Sequence, residues 1–167
     1  MKGILIWLGC EICGGVVLAL LLRRFVCALA LVKGRSMQDT LQDRELMLVL
    51  RYGLFGKPRR FDIVICRYPG RKQLFVKRII GMPGEQISME EDVVYINGEP
   101  LAEPFFRRKS MRRVEEVQLG EKEYFVMGDN RPCSVDSRKI GPIGKEMLLG
   151  RATRVLFPFK KRRRIDV

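Results

Sequence analysis

Ser36 and Lys77 are the residues whose types and settings suit covalent chemistry in this chain. A serine hydroxyl is a poor nucleophile at neutral pH and needs a base to take its proton. The 167 residues include no histidine, which excludes a Ser/His/Asp triad and leaves a Ser/Lys dyad as the natural candidate. Ser36 stands in Gly34-Arg35-Ser36-Met37, after a long apolar run, and Lys77 lies inside the apolar stretch Leu74 to Ile80. In a strand, a period of two sets Phe75, Lys77 and Ile79 on one face and Val76, Arg78 and Ile80 on the other. Large apolar neighbours desolvate an ammonium group and can lower a lysine pKa by up to about 3 to 5 units, making a base usable near neutrality. The same pattern suits a strand-edge lysine that reaches out to water. A second polar cluster, Gly128-Asp129-Asn130-Arg131 continuing to Ser134, Asp136, Ser137 and Arg138, has the composition of a loop that satisfies its own backbone.

The elements that must position these groups read as mainly β. Strand candidates are Phe25 to Val32, Leu46 to Leu50 as a buried strand, Phe61 to Tyr68, Leu74 to Ile80, Val93 to Ile96, Tyr124 to Met127 and Leu148 to Phe159. Gly81-Met82-Pro83-Gly84 predicts a type II turn, and Asn97-Gly98 a tight hairpin. Tyr52 to Pro58 predicts a turn with an aromatic tip that either dips into lipid or covers core. Glu103 to Glu123 is charged and weakly patterned, and reads as an excursion from the core. The basic run Lys160 to Arg164 reads as a tail lying on anionic lipid or simply solvated.

Upstream, Ile4 to Leu22 is almost wholly apolar. About 19 residues at about 1.5 Å each approach the roughly 30 Å hydrocarbon thickness, so a single transmembrane helix is expected. Glu11 near its middle is costly there. A cleaved secretory signal is the rival, with Ala28-Leu29-Ala30 as a small-residue site, but Arg23 and Arg24 before it favour an uncleaved anchor. The division expected is an anchor at 1–24 and a β-rich catalytic domain at 25–167, with a small excursion at about 86–122. Ser36 then lies about a dozen residues from the membrane surface, a short span at about 3.3 to 3.6 Å per residue.

The length allows one modest core. With 32 Lys+Arg against 19 Asp+Glu, the formal charge of +13 attracts nucleic acid or anionic lipid, and the adjacent apolar segment favours lipid. The five cysteines show no zinc spacing and read as small apolar fillers rather than a disulfide framework. No metal or cofactor is implied.

Taken together and in order, four stretches resemble the boxes of type I signal peptidases, the membrane-bound serine endopeptidases that remove signal peptides. They are Gly34 to Leu41, Phe61 to Val64, Phe75 to Glu85, and Tyr124 to Arg131 continuing through Ser134 to Arg138. The anchor and Gly150 to Pro158 also fit, and the short connections resemble compact Gram-positive members. The resemblance implies an antiparallel β catalytic domain of the fold shared with repressor-type Ser-Lys autoproteases, with Ser36 as nucleophile and Lys77 as general base. It implies that Ser134 orients the lysine amine, that Asp136 and Arg138 form an ion pair beneath the site, and that Asp129 and Arg131 support the same loop. Met37 belongs to the nucleophile box. The oxyanion would meet the Ser36 N–H, while Gly34 stands where some members carry a second, side-chain donor. Asp39 replaces a usual proline, and Pro132-Cys133 a usual polar pair.

The partners so implied are secreted preproteins and the lipid bilayer, with no nucleic acid, and the enzyme is expected to work as a monomer. Lys2 before the helix against Arg23, Arg24, Lys33 and Arg35 after it would keep the domain cytoplasmic by the positive-inside bias. The family topology implies the opposite: a single-pass cell-membrane protein with a cytoplasmic N-terminus and an extracytoplasmic catalytic domain. Two alternatives are a self-processing Ser/Lys regulator of the same fold and a catalytically silent basic module that tethers partners to the membrane.

Overall fold

Apolar side chains run continuously through the central strands of this protein and alternate in some of the others, and glycine or asparagine at positive φ turns the chain between several of them. The computed structural model describes residues 2–21, 26–53, 56–105 and 113–165. Helix α1 (Lys2–Leu21) comes first. Its described side chains, Trp7 and Cys10 to Leu21, are exposed. Among the described residues no helix is long and apolar enough to cross a membrane, so the expected span is helical without being established as a crossing. Arg23, Arg24 and Phe25, and the aromatic tip at Leu54 and Phe55, lie outside the described residues.

The strands are β1 (Cys27–Leu31), β2 (Leu46–Arg51), β3 (Ile63–Arg67), β4 (Leu74–Gly81), β5 (Gln86–Glu90), β6 (Val93–Ile96), β7 (Glu99–Pro100), β8 (Val114–Gln118) and β9 (Glu123–Met127). The short helix α2 (Ser137–Ile140), β10 (Ile143–Gly144), β11 (Leu148–Phe157) and β12 (Arg163–Arg164) complete the chain. An eight-stranded antiparallel sheet runs in the order β1-β2-β11-β3-β4-β9-β10, with β12 added to β11. A four-stranded sheet, β7-β6-β5-β8, is inserted between β4 and β9. The predicted hairpin is there, with Asn97 and Gly98 at φ 52° and 83°. The proline turn is shifted by one residue: the Glu85 N–H donates to the Met82 carbonyl at 3.2 Å.

Three expectations need correction. Leu46 to Leu50 is only half buried, because Met47 and Val49 enter the core while Leu46, Leu48 and Leu50 lie on the outer face. The charged excursion contains a strand, β8, whose ladder to β5 pairs Ile87 with Val117 and Met89 with Val114. The basic run is not a loose tail. It forms a 3-10 turn at Phe159–Lys161 and the strand β12, with Ile165 entering the core.

The outer face of β1, β2 and β11 carries several large apolar side chains beside the exposed Arg154. Two bulges in β11 bring Arg154 opposite Leu48 and Phe157 opposite Leu46, while β1 sets Leu29 and Leu31 opposite the same two leucines. Ladder partners share a face, so Leu29, Leu31 and Phe157 emerge together, and all three are exposed. Phe159, 72% exposed, stacks edge-on against Phe157.

Candidate active site

The loop between β1 and β2 carries Ser36, and two buried side chains pin it. Met37 and Leu41 enter the core beside Met47, Ile63 and Ile165, and the Leu41 N–H closes a turn on the Met37 carbonyl at 2.8 Å. Asn130 grips the loop from across the sheet: its N–H donates to the Ser36 carbonyl at 3.1 Å, and its Nδ2 to the Arg35 carbonyl at 3.0 Å.

Lys77 comes from the middle of β4, opposite Val64 of β3. It is 2% exposed, so the strand-edge reading does not hold. Its Nζ lies 2.8 Å from Ser36 Oγ and donates to the Val76 carbonyl at 3.0 Å. The Phe75 ring centroid, 5.8 Å from Nζ, walls off one side. Burial holds the amine below the usual lysine value, opposed by the nearby Asp136 carboxylate. Cys66 is pushed up to about 12 by burial, so it stays a thiol.

The polar loop after β9 forms the floor. Gly128 approaches so closely that an added Cβ would lie 2.3 Å from Ser134 Oγ and 2.5 Å from the Ser36 carbonyl oxygen. Ser134 is thus buried against the Ser36 loop; its Oγ makes no hydrogen bond to Lys77 Nζ and helps to hold the Asp136 carboxyl down. Asp136 receives Nε and Nη2 of Arg138, both at 2.8 Å, and the Gly128 N–H at 3.0 Å. Burial would raise the Asp136 carboxyl, but the Arg138 bonds outweigh it and hold the group below its ordinary value. Arg131 is buried, with Nε on the Gly128 carbonyl at 3.1 Å and an ion pair to Glu103.

Gly34, at φ 92°, offers no side-chain donor, and its N–H is held by Asp43 Oδ1 at 2.8 Å. A cleft of about 550 Å³ opens on the loop that carries Ser36, lined by Gly34, Arg35, Gln38, Asp39, Gln42 and Asp43 but not by Ser36 itself. Asp39 sits at φ 95°, a conformation that proline, locked near −65°, does not adopt. The loop here therefore follows a path that a proline at position 39 would not allow. Cys133 is exposed. No group of His, Cys, Asp and Glu suited to a metal ion is found among the described residues.

The model of one family, signal peptidase, peptidase S26, matches residues 6–157. The chain belongs to that family. A signal peptidase I of Bacillus licheniformis is 40% identical over 163 residues, covering 90% of this chain and 88% of the relative. The signal peptidase I T of Bacillus subtilis (strain 168) is 40% identical over 161 residues, covering 89% and 83%. Among solved structures, a signal peptidase I from Enterococcus faecalis V583 aligns with a TM-score of 0.51 at 34% identity, over 57% of this chain and 96% of that one. As a family member the chain is a peptidase, which sets aside the silent basic tether. β12 and the 3-10 turn before it lie beyond the matched residues.

Several residues at the site were not singled out from sequence. Arg78, the neighbour of Lys77, is buried and makes a two-pronged pair with Asp129, Nε to Oδ1 at 2.9 Å and Nη2 to Oδ2 at 2.7 Å. Thr40 Oγ1 donates to the same carboxylate at 2.5 Å, and the Phe105 ring covers the guanidinium at 3.9 Å. A signal existed: a charged residue on the second apolar face of a central strand needs a buried partner. Asp129 therefore ties the polar loop to β4 and to the nucleophile loop, a wider role than support of its own turn.

Proposed function

We propose that this chain is a membrane-anchored signal peptidase that cleaves secreted preproteins at small-x-small sites, with Ser36 as nucleophile and Lys77 as general base. The observation that carries the reading is the 2.8 Å contact between Lys77 Nζ and Ser36 Oγ around an amine that is almost fully buried. A neutral amine uses one N–H on the Val76 carbonyl and keeps its lone pair for the serine proton.

The preprotein binds in extended form along a strand edge, small side chains filling shallow pockets. Ser36 Oγ attacks the scissile carbonyl as Lys77 takes its proton, and the developing oxyanion meets the Ser36 N–H. Lys77 returns the proton to the leaving amine of the mature protein, whose C–N bond breaks. Lys77 then deprotonates a water that attacks the acyl ester, and the signal peptide departs as Ser36 regains its proton. Ser134 is the hydroxyl assigned to orient the amine, and the Asp136–Arg138 pair stiffens the floor. Asp129 and Arg131 fix the polar loop, Met37 anchors the nucleophile turn in the core, and Gly34 leaves the oxyanion without a side-chain donor. The enzyme works as a monomer and needs no cofactor.

The membrane part of the proposal rests on α1, whose 20 residues extend about 30 Å at about 1.5 Å each. Exposed Trp7, Ile12, Val16, Leu18 and Leu20 support it. The outer face with Leu29, Leu31, Phe157 and Phe159, next to Lys160 and Arg162, suits the headgroup boundary. The N-terminus is cytoplasmic and the β domain faces outward, where preproteins emerge.

The test is cleavage of a small-x-small preprotein by detergent-solubilised enzyme. Ser36→Ala and Lys77→Ala are each expected to abolish it while the circular dichroism and melting cooperativity remain. Lys77→Arg is expected to fail as well, since arginine does not deprotonate. Full activity in any of the three refutes the assignment. Self-cleavage of the chain incubated alone would instead favour the self-processing regulator.

A further inference from the structure

We propose that Arg163 is a positioning residue that holds the Ser36 loop at the distance Lys77 requires. The inference rests on Ser36 being the nucleophile. Sequence gives Arg163 no distinction within a run of five cations, but its side chain turns back onto the Ser36 loop with three bonds. Nη1 donates to Glu45 Oε1 at 2.7 Å, and Nη2 donates both to Glu45 Oε2 at 2.9 Å and to the Thr40 carbonyl at 2.7 Å. Lys161 reaches Gln42 Oε1 of the same loop.

The chemistry of the contact is specific. Glu45 is buried, and a buried carboxylate is costly unless paired. Burial alone would raise its carboxyl, but Arg163 and the Gln42 N–H outweigh that and hold it below its ordinary value. The planar guanidinium fork spans both carboxylate oxygens and still has an N–H for the Thr40 carbonyl, which a lysine ammonium does not reproduce. The backbone that carries Arg163 is fixed too: Arg163 pairs with Val155 across the ladder, and the Ile165 N–H donates to the Thr153 carbonyl at 2.9 Å.

Thr40 is where this matters for Ser36. Its carbonyl is held by Arg163, its hydroxyl by Asp129, and its N–H by the Met37 carbonyl at 3.1 Å. Asp129 in turn grips Arg78, the residue after Lys77. The two ends of the Ser36–Lys77 contact are thus referred to one residue, and Arg163 supplies the restraint from the outer side. Arg163 itself is 38% exposed, so water can reach the space it leaves. Its loss should loosen the loop and also cost stability, since Glu45 is left without its partner. A misplacement of about 1 Å in a reacting atom costs up to about 100-fold in rate.

The experiment measures kcat and KM of the full chain in detergent for Arg163→Ala, Arg163→Gln and Arg163→Lys, with Ser36→Ala alongside. The alanine variant is expected to lose about 10- to 100-fold in kcat with KM near that of the parent, assayed well below a melting transition that the unpaired Glu45 lowers. Guanidinium at millimolar concentration should restore part of that loss by refilling the fork between Glu45 and Thr40. If the alanine variant does not fold, the lysine variant decides. It keeps the charge beside Glu45 but not the bridge, and is expected to lose kcat in the same direction. Parental kcat in any folded variant, or a rise in KM with kcat intact, overturns the proposal while leaving Ser36 in place. An active Ser36→Ala overturns the proposed function instead.

Discussion

Lys77 Nζ and Ser36 Oγ lie 2.8 Å apart, and the lysine that makes the contact is 2% exposed. The amine facing the hydroxyl has therefore lost almost all of its water, and burial favours its neutral form.

The pH dependence follows from that. Lys77 is lowered in the folded state, mainly by burial, and returns to about 10.5 on unfolding. Between those two values the unfolded chain binds more protons, so stability rises with pH, by about 1.4 kcal/mol for each pH unit of depression. Below the folded value the full cost of charging the buried amine is present. Lys77→Met should thus be more stable than the parent on the acid side, the gain shrinking as pH approaches 10.5. Urea titrations across pH check this. The acid limb of kcat/KM should report the same depressed group.

The Arg78–Asp129 pair is buried on both sides. Asp129→Ala strands a desolvated guanidinium and should cost about 3 to 5 kcal/mol, whereas exchanging both partners for apolar residues of similar volume should cost much less. Denaturation of the two single variants and the double variant gives the comparison. A loss below about 1 kcal/mol in Asp129→Ala would show that water reaches the pair.

Gly128→Ala tests the close approach at the floor. The new methyl would collide with Ser134 and with the Ser36 carbonyl. Overpacking of this kind costs about 1 to 3 kcal/mol. Because the clash pushes on the nucleophile loop itself, the acylation rate should fall by more than the stability loss accounts for. Single-turnover acylation measured beside a thermal melt separates the two.

Cys133 reports on orientation. Among the described cysteines of the β domain it is the exposed one, with Cys66 buried and Cys27 half-buried. A membrane-impermeant maleimide added to intact protoplasts should label it if the β domain faces outward, and labelling should vanish in Cys133→Ser. Labelling only after lysis would reverse the topology. The bulky adduct next to Ser134 is also expected to slow cleavage.

Much of the fold was legible because alternation and turn chemistry act locally. Leu74 to Ile80 announced β4, Tyr124 to Met127 announced most of β9, and Asn97-Gly98 the hairpin, each from neighbours within a few positions. β8 was hidden, since Val114 and Val117 are separated by two glutamates and fit no simple period of two; a register shift in its ladder to β5 accommodates them. The C-terminal run was misread for another reason. Five adjacent cations carry no periodicity, and β12 exists only because the end of β11 offers it an edge.

Composition and order by themselves narrowed the candidate chemistry to serine with lysine, because no imidazole exists to serve, and marked the stretches in which both residues stand. What sequence left open was whether Lys77 looked into the core or out to water, since a strand's period assigns faces but not what covers them. Tertiary packing decided it: the loop bearing Ser36, the wall at Phe75 and the floor at Gly128 close around one amine. The partners Arg78 with Asp129 and Arg163 with Glu45 were likewise decided only in three dimensions, because buried charges find one another across the sheet by the cost of remaining unpaired, which linear distance does not record.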